Sequence, residues 1–369
     1  MYIYPHFIQE NVAPQGATRI IVQDGEGKEV TRVPLGNLAL PTLGEKQYSF
    51  GALSDVHVTS GTLSKFQKGL NYLNSIEKVA FTCIAGDLTA NGKATDFETY
   101  MTAVEPYDAQ APVYEITGNH DVETTGIAPF LTKESTQPYI GHDMYYSFTQ
   151  GDDVFIMFGM SGWISKTGDI FTTEAIEWLY DTLEANRNKR CFVFEHCPSM
   201  VYVSATAGGV LKNDGSGHPY NSSTSGSLLG VRLPTGNLLN QGSTSLPFRK
   251  LMAHYKNVIW FHGHSHMDFQ FQEECSQLNY DKNFGCHSIH IPSLMSRRIL
   301  KADGSGWESP TGSYGYVVDV YDNHIVLRGR DFLKDEFIPI ASFCLDTTLQ
   351  TVAAATYKEI TGLNKTSGE

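Results

Sequence analysis

The chain has no apolar run near the roughly 18 residues that a membrane-crossing helix needs, and no lysine- or arginine-rich stripe. Lys and Arg number 27 against 40 Asp and Glu, a net charge of −13. That balance argues against a dedicated nucleic-acid binder, although not against a nuclease whose phosphate affinity comes from metal. The six cysteines include no C-x-x-C pair, and the redox compartment stays open. Cys83 and Cys191 lie in apolar, strand-like runs and read as buried thiols. The first residues, Met1-Tyr-Ile-Tyr-Pro-His-Phe, lack the basic-then-apolar layout of a signal peptide. A soluble chain is expected, with its location open because an exported mature form would look the same. Internal repeats and coiled-coil patterning are also missing.

What is present is enough apolar sequence, 41% of 369 residues, for one large core with appendages. Residues 1–46 read as an N-terminal β appendage and linker, with two short β-runs around a glycine-containing turn at 20–30. The main domain is expected over 47–345. It begins with the strand Tyr48–Ser54, then a helix carrying Leu63, Phe66, Leu70, Leu73 and Ile76 on one face. A buried strand 79–85, a helix through Phe97, Tyr100, Met101 and Val104, and a strand 112–117 follow. That βαβαβ order signals a sheet with crossover helices. A hairpin over 144–158, a helix from about Thr173, a buried strand 191–195, a helix near 246–255 and a strand 258–261 continue the pattern. Residues 199–245 are rich in Gly, Ser, Thr and Asn, a polar insertion long enough to act as a lid. A second hairpin turns at Asp322-Asn323, and 346–369 read as a polar C-terminal tail.

Five strand ends carry the chemistry. The strand 79–85 stops at Gly86-Asp87, delivering a carboxylate to a loop where α/β proteins place their sites. Asp55 and His57 stand two apart after the first strand, so both project to one side. Gly118-Asn119-His120-Asp121, His196 after Glu195, and His264 with His266 in a glycine turn complete the group. Mixed carboxylate, amide and imidazole donors suit borderline ions such as Mn, Fe or Zn. Gly86, Gly118 and Gly263 are expected to let the backbone turn sharply beside a ligand. Taken singly, each piece reads as well as a turn-forming Asp or a core histidine, His196 above all. His262 is expected to pack at its strand end. Arg297 and Arg298 follow a strand, placed either to grip a substrate phosphate or to form an ordinary ion pair. His218, Tyr202 and Tyr220 lie in the polar insertion, where they would line a substrate pocket.

In that order, Asp55-Val-His57, Gly86-Asp87, Gly118-Asn-His-Asp121, His196 and Gly263-His-Ser-His266 closely resemble the calcineurin-like metallophosphoesterase superfamily, over roughly 50–330. The resemblance implies a four-layer α/β/β/α sandwich of two mixed sheets flanked by helices, with the 314–330 hairpin completing the second sheet. It implies a pair of divalent or trivalent transition-metal ions. Asp55, His57, Asp87 and His266 would hold one, and Asp87, Asn119, His196 and His264 the other. His120 would meet the phosphoryl oxygen or protonate the leaving group, with Asp121 orienting it from behind. The activity implied is hydrolysis of a phosphomonoester or small phosphodiester by a hydroxide activated between the two ions, with long nucleic acid disfavoured by the acidic charge. The alternative is a catalytically silent phosphate-binding or structural module of a cell-surface or virion assembly. Substrate, metal identity and oligomeric state stay open.

Overall fold

The first strand of the main domain, β3 (Tyr48–Leu53), lies inside a six-stranded sheet, hydrogen-bonded on both sides. The computed structural model describes residues 19–23, 29–34, 43–59, 61–122, 144–162, 170–197, 204–205, 211–212, 245–264, 266, 268–269, 286–297, 299–300 and 307–366. Within them β1 (Arg19–Gln23) and β2 (Glu29–Pro34) pair as a hairpin of their own. On one side of β3 run β4 (Phe81–Ile84) and β5 (Val113–Glu115), both parallel. The second sheet has five strands. β6 (Tyr145–Gln150) and β7 (Asp153–Phe158) form the expected hairpin across Gly151, and β8 (Cys191–Phe194) lies parallel to β7.

In the polar insertion the described residues form the short ladder of β9 (Ser204–Ala205) and β10 (Leu211–Lys212); the rest of 199–244, with His218, Tyr202 and Tyr220, lies outside the described residues, as does Arg298. β11 (Val258–His262) and β12 (His287–His290) extend the second sheet, both parallel to β8. β13 (Ile299–Leu300) pairs with β14 (Trp307–Glu308). β15 (Tyr314–Val320) and β16 (His324–Asp331) are the C-terminal hairpin. It joins the sheet of β3, β4 and β5, antiparallel to β3, so it extends the sheet built by the first strands and not the one containing β8 and β11.

Alternation along these strands explains their near-continuous hydrophobicity. Phe192 and Phe194 of β8 face the other sheet with Phe50, Phe81, Phe155 and Phe261. Cys191 and Val193 of the same strand point outward to Ile176, Leu179, Leu251 and Tyr255. β4, β7, β8, β11 and β15 are buried on both faces, as sheets covered by helices require. Rings cross the gap between sheets edge-to-face, as Phe50 and Phe155 do at 5.2 Å. Helices Leu63–Asn71 and Ala94–Asp108 cover the first sheet with Phe66, Leu70, Tyr100 and Met101. Helices Thr173–Ala185 and Ser245–His254 cover the second. The four layers are therefore α/β/β/α.

Two elements depart from the sequence reading. The first helix does not carry Ile76 inward: at Tyr72–Glu77 it widens into a π turn, ends on left-handed Lys78, and leaves Ile76 60% exposed. The C-terminal region holds a strand and a helix that periodicity does not announce, the helix lying within the expected polar tail. β17 (Glu336–Asp346) pairs with β16 at the sheet edge, and helix Tyr357–Thr361 buries Tyr357 against Tyr180 and the second-sheet core.

Candidate metal centre

All five motif segments leave strands that run parallel within their own sheet, so each sheet delivers its segments to one edge. The two edges meet: Leu294 N–H, after β12, donates to Ser54 O at 3.0 Å, and His264 N–H donates across to Asp55 Oδ2 at 2.9 Å. The turns are tight enough to force unusual backbone. Among the described residues seven non-glycines have positive φ, and five of them are Asp55, His57, Asp87, His264 and His266. Left-handed residues other than glycine cost energy and persist where surroundings over-determine them, as at ligand sites.

The glycines act differently from one another. Gly86 does turn at φ +80. Gly263 is needed for closeness instead: a Cβ there would run into Ser54 Oγ and come within 2.5 Å of Asp55 Oδ2.

Two groups of donors share one carboxylate. Ligand atoms of Asp55, His57, Asp87 and His266 lie within 4.8 Å of one another, and so do those of Asp87, His196 and His264. Asp87 Oδ2 stands 3.5 Å from His57 Nε2 and 3.3 Å from His196 Nε2. Its other oxygen, Oδ1, accepts the His120 backbone N–H at 2.9 Å. One oxygen, not both, therefore faces the two groups. Asn119 Oδ1 lies 3.2 Å from His196 Nε2, adding an amide oxygen to the second group.

The donor set has the character of a cation site. His196 Nδ1 donates to Ala85 O at 2.8 Å, so in the neutral ring Nε2 carries a lone pair. That lone pair faces two acceptors, Asn119 Oδ1 and Asp87 Oδ2, and lies 3.2 Å from His264 Nδ1. His57 Nε2 and His266 Nε2 meet at 3.1 Å, and Asp55 Oδ1 is fully buried with no hydrogen-bond donor, 3.0 Å from His266 Nε2. Acceptors pointed at acceptors need a proton or a metal between them.

The electrostatics agree. Burial opposes ionisation of Asp55, yet His266, His196 and His57 hold its carboxyl well below the usual range. Burial likewise opposes Asp87, and His196 and His57 hold it low. Burial opposes charge on His196, but Asp87 raises it to about 10. His57 and His264 are pushed by burial to about 4 and about 3, keeping neutral rings of the kind metals bind.

His120 stands at the rim, its ring edge-on to His57 at 4.6 Å. Nδ1 donates to Ala90 O at 2.9 Å, leaving Nε2 for another partner. Burial lowers its pKa, while Asp87 and Ala90 O raise it further, for a net increase. Asp121 does not sit behind this ring. Its carboxylate accepts from Leu88 N, Thr89 N, Thr89 Oγ1 and Gly118 N at 2.8–3.0 Å; the nearby main chain satisfies it before a ring could. Arg297 is also engaged elsewhere: Nη1 donates to Asp268 Oδ2 at 2.9 Å and to the Tyr314 hydroxyl, and the guanidinium lies over the Tyr314 ring. It forms an internal ion pair. His262 packs at its strand end, 3.0 Å from Ser288 Oγ.

Several supporting residues carry no motif. Ser54 Oγ donates to Asp55 Oδ2 at 2.7 Å. Ser293 Oγ donates to Asp55 O, and Ser296 Oγ lies 3.3 Å from His266 Nδ1. The signal that could have found the last two is their place after β12, a further strand end at the same edge.

The calcineurin-like phosphoesterase family profile matches residues 48–268. The chain belongs to that family and carries a candidate metal-binding site at Asp55, His57, Asp87 and His266. The purple acid phosphatase PPD1 from yellow lupin (Lupinus luteus) seeds superposes with a TM-score of 0.52 at 16% identity, over 86% of this chain and 58% of the lupin chain. This chain thus spans less than two thirds of the lupin enzyme. GAP50, the anchor in the inner membrane complex of Plasmodium, superposes with a TM-score of 0.50 at 14% identity, over 83% of this chain and 90% of its own. These likenesses concern the fold. No curated protein matches the chain.

Proposed function

We propose that the chain hydrolyses a phosphomonoester or small phosphodiester at a two-ion centre. Asp55, His57, Asp87 and His266 would hold one ion, and Asp87, Asn119, His196 and His264 the other, with Asp87 Oδ2 common to both. When bound, such ions supply Lewis acidity, neutralising phosphate charge and making a water nucleophilic at neutral pH. Mn, Fe and Zn all suit the donors.

The chain's own groups do the rest. Asp87 Oδ1 and the Ala90 carbonyl hold His120 by its backbone N–H and its ring Nδ1. From Nε2 the protonated ring gives its proton to the leaving oxygen. The water oxygen bonds to phosphorus as the bond from phosphorus to the leaving oxygen breaks; the leaving oxygen keeps that electron pair and takes the His120 proton, while the attacking water gives up a proton to solvent, from which His120 is reprotonated. Positioning and charge stabilisation are most of what phosphoryl transfer asks of a protein.

The observation that carries this reading is Asp87 Oδ2 within 3.5 Å of an imidazole nitrogen from each group. Because a phosphatase and an anchor share the fold, the fold alone does not separate an enzyme from a silent structural module; the complete donor set favours the enzyme. The deciding experiment is a panel of aryl mono- and diesters, cyclic nucleotides and single-stranded DNA with Mn and Zn, alongside metal analysis. Two ions per chain and turnover of a small ester are expected, with Asp87→Ala losing both. Tightly held metal without hydrolysis of any ester would favour the structural module, and near-normal turnover by metal-loaded Asp87→Ala would remove the mechanism.

A further inference from the structure

The turn over 87–92 is held from two sides. On one, His57 N–H donates to Asp87 O and Val58 N–H to Leu88 O, both at 2.9 Å. On the other, the buried Asp121 carboxylate takes the N–H groups of Leu88 and Thr89 and the Thr89 hydroxyl. Thr89 is itself fully buried, and its Oγ1 accepts from Gly92 N–H at 3.0 Å, closing the turn. The turn lies so close to the 118–122 segment that a Cβ on Gly92 would fall 2.7 Å from Asp121 O and 2.8 Å from His120 O. Ala90, whose carbonyl accepts from His120 Nδ1, sits between the two anchored residues, Thr89 and Gly92.

We infer that Thr89 and Asp121 form a positioning lock: by fixing the Ala90 carbonyl they aim the His120 ring, touching neither substrate nor metal ligand atoms. Thr89 is the informative half. Its hydroxyl donates to Asp121 and accepts from Gly92, so removing it takes away one bond on either side of Ala90, keeps the Leu88 and Thr89 N–H bonds to Asp121, and alters no metal-ligand side chain. This role rests on the phosphoesterase reading, since it acts through the proton that His120 delivers.

The test follows from that proton. Ester hydrolysis with a good leaving group needs little proton donation, whereas a poor leaving group needs it fully. Thr89→Val, nearly the same shape without the hydroxyl, should keep both metals and turn over a p-nitrophenyl ester within about threefold of wild type. It should lose about tenfold or more on the corresponding unactivated phenyl or alkyl ester, a fraction of the 10²–10⁴ that general acid catalysis supplies. Thr89→Ser should restore the loss, and Thr89→Val combined with His120→Ala should be no worse than His120→Ala alone. Equal losses on both esters, additive losses in the double variant, or loss of metal would overturn the lock. If wild type hydrolyses no ester at all, it is the phosphoesterase reading that fails. The lock is then decided by ¹⁵N resonances of the His120 ring: a changed Nδ1–H tautomer population in Thr89→Val supports it, and an unchanged one overturns it.

Discussion

At the scale of single residues, Asp87 and His120 divide the labour within one contact. Asp87 faces the imidazoles with Oδ2 and ties down the His120 main chain with Oδ1. Truncating His120 should therefore leave the metal donors untouched. His120→Ala is expected to keep its metal content and lose about 10²–10⁴ in turnover of an ester with a poor leaving group, the usual share of a general acid. Metal analysis beside steady-state rates checks both halves, and loss of the metals in that variant would show the role is misassigned. The donor types and their order were readable in the sequence because each motif is local. Which oxygen of Asp87 does the sharing was not, and neither were the main-chain acceptors Ala85 O and Ala90 O. Every residue has a carbonyl, so a carbonyl partner leaves no mark in composition.

At the scale of elements, the short buried strands were legible because both faces are covered and nearly every position is apolar. Helix Thr173–Ala185 was legible by its periodicity, and its start is marked by Thr172, whose side chain accepts from Ala175 N–H at 3.1 Å. Thr172→Ala should cost about 1 kcal/mol, the usual loss for an N-cap, seen as a lower urea midpoint with an unchanged slope. β17 was not legible. Pro339 interrupts its pattern, and such a proline is tolerated only at an edge or near an irregularity; β17 has both, lying outermost beside a register shift at Arg328–Arg330. The terminal helix is only five residues long, too short for periodicity to register. Its capping box between Thr356 and Glu359 was the available local sign.

At the scale of the whole molecule, the sandwich has a reactive edge and a clamped one. At the start of β8, opposite the ligand end, buried Arg190 forms a two-point ion pair with Asp153 at 2.7 and 2.8 Å. It also donates to Tyr321 O at 2.8 Å and Thr347 Oγ1 at 3.0 Å. Tyr48 OH completes the group on Asp153 at 2.5 Å. Asp153 opens β7 in one sheet, while Tyr48, Tyr321 and Thr347 border strands of the other, so the arginine ties the two sheets together. Arg190→Met should destabilise the fold by about 3–5 kcal/mol, because Asp153 is left buried and unpaired; calorimetry and metal content together would separate this from damage to the site. At the other edge, chelation should lower the melting midpoint and restored Mn or Zn should raise it again, since a ligand bound only by the folded chain stabilises it by mass action. A midpoint indifferent to chelator and metal would count against ions at the centre.

The sequence alone determined the donor set, the α/β class with crossover helices and the family resemblance. Each depends on short-range regularities, namely strand-length apolar runs, glycine turns and residues two apart on extended chain. Tertiary structure alone decided the rest: one carboxylate oxygen shared between two imidazole groups, Asp121 committed to the Thr89 turn, Arg297 drawn into a pair with Asp268, and Arg190 closing the far edge. Those partners lie tens to hundreds of residues apart, and local patterning does not encode which distant polar group arrives first to satisfy a buried one.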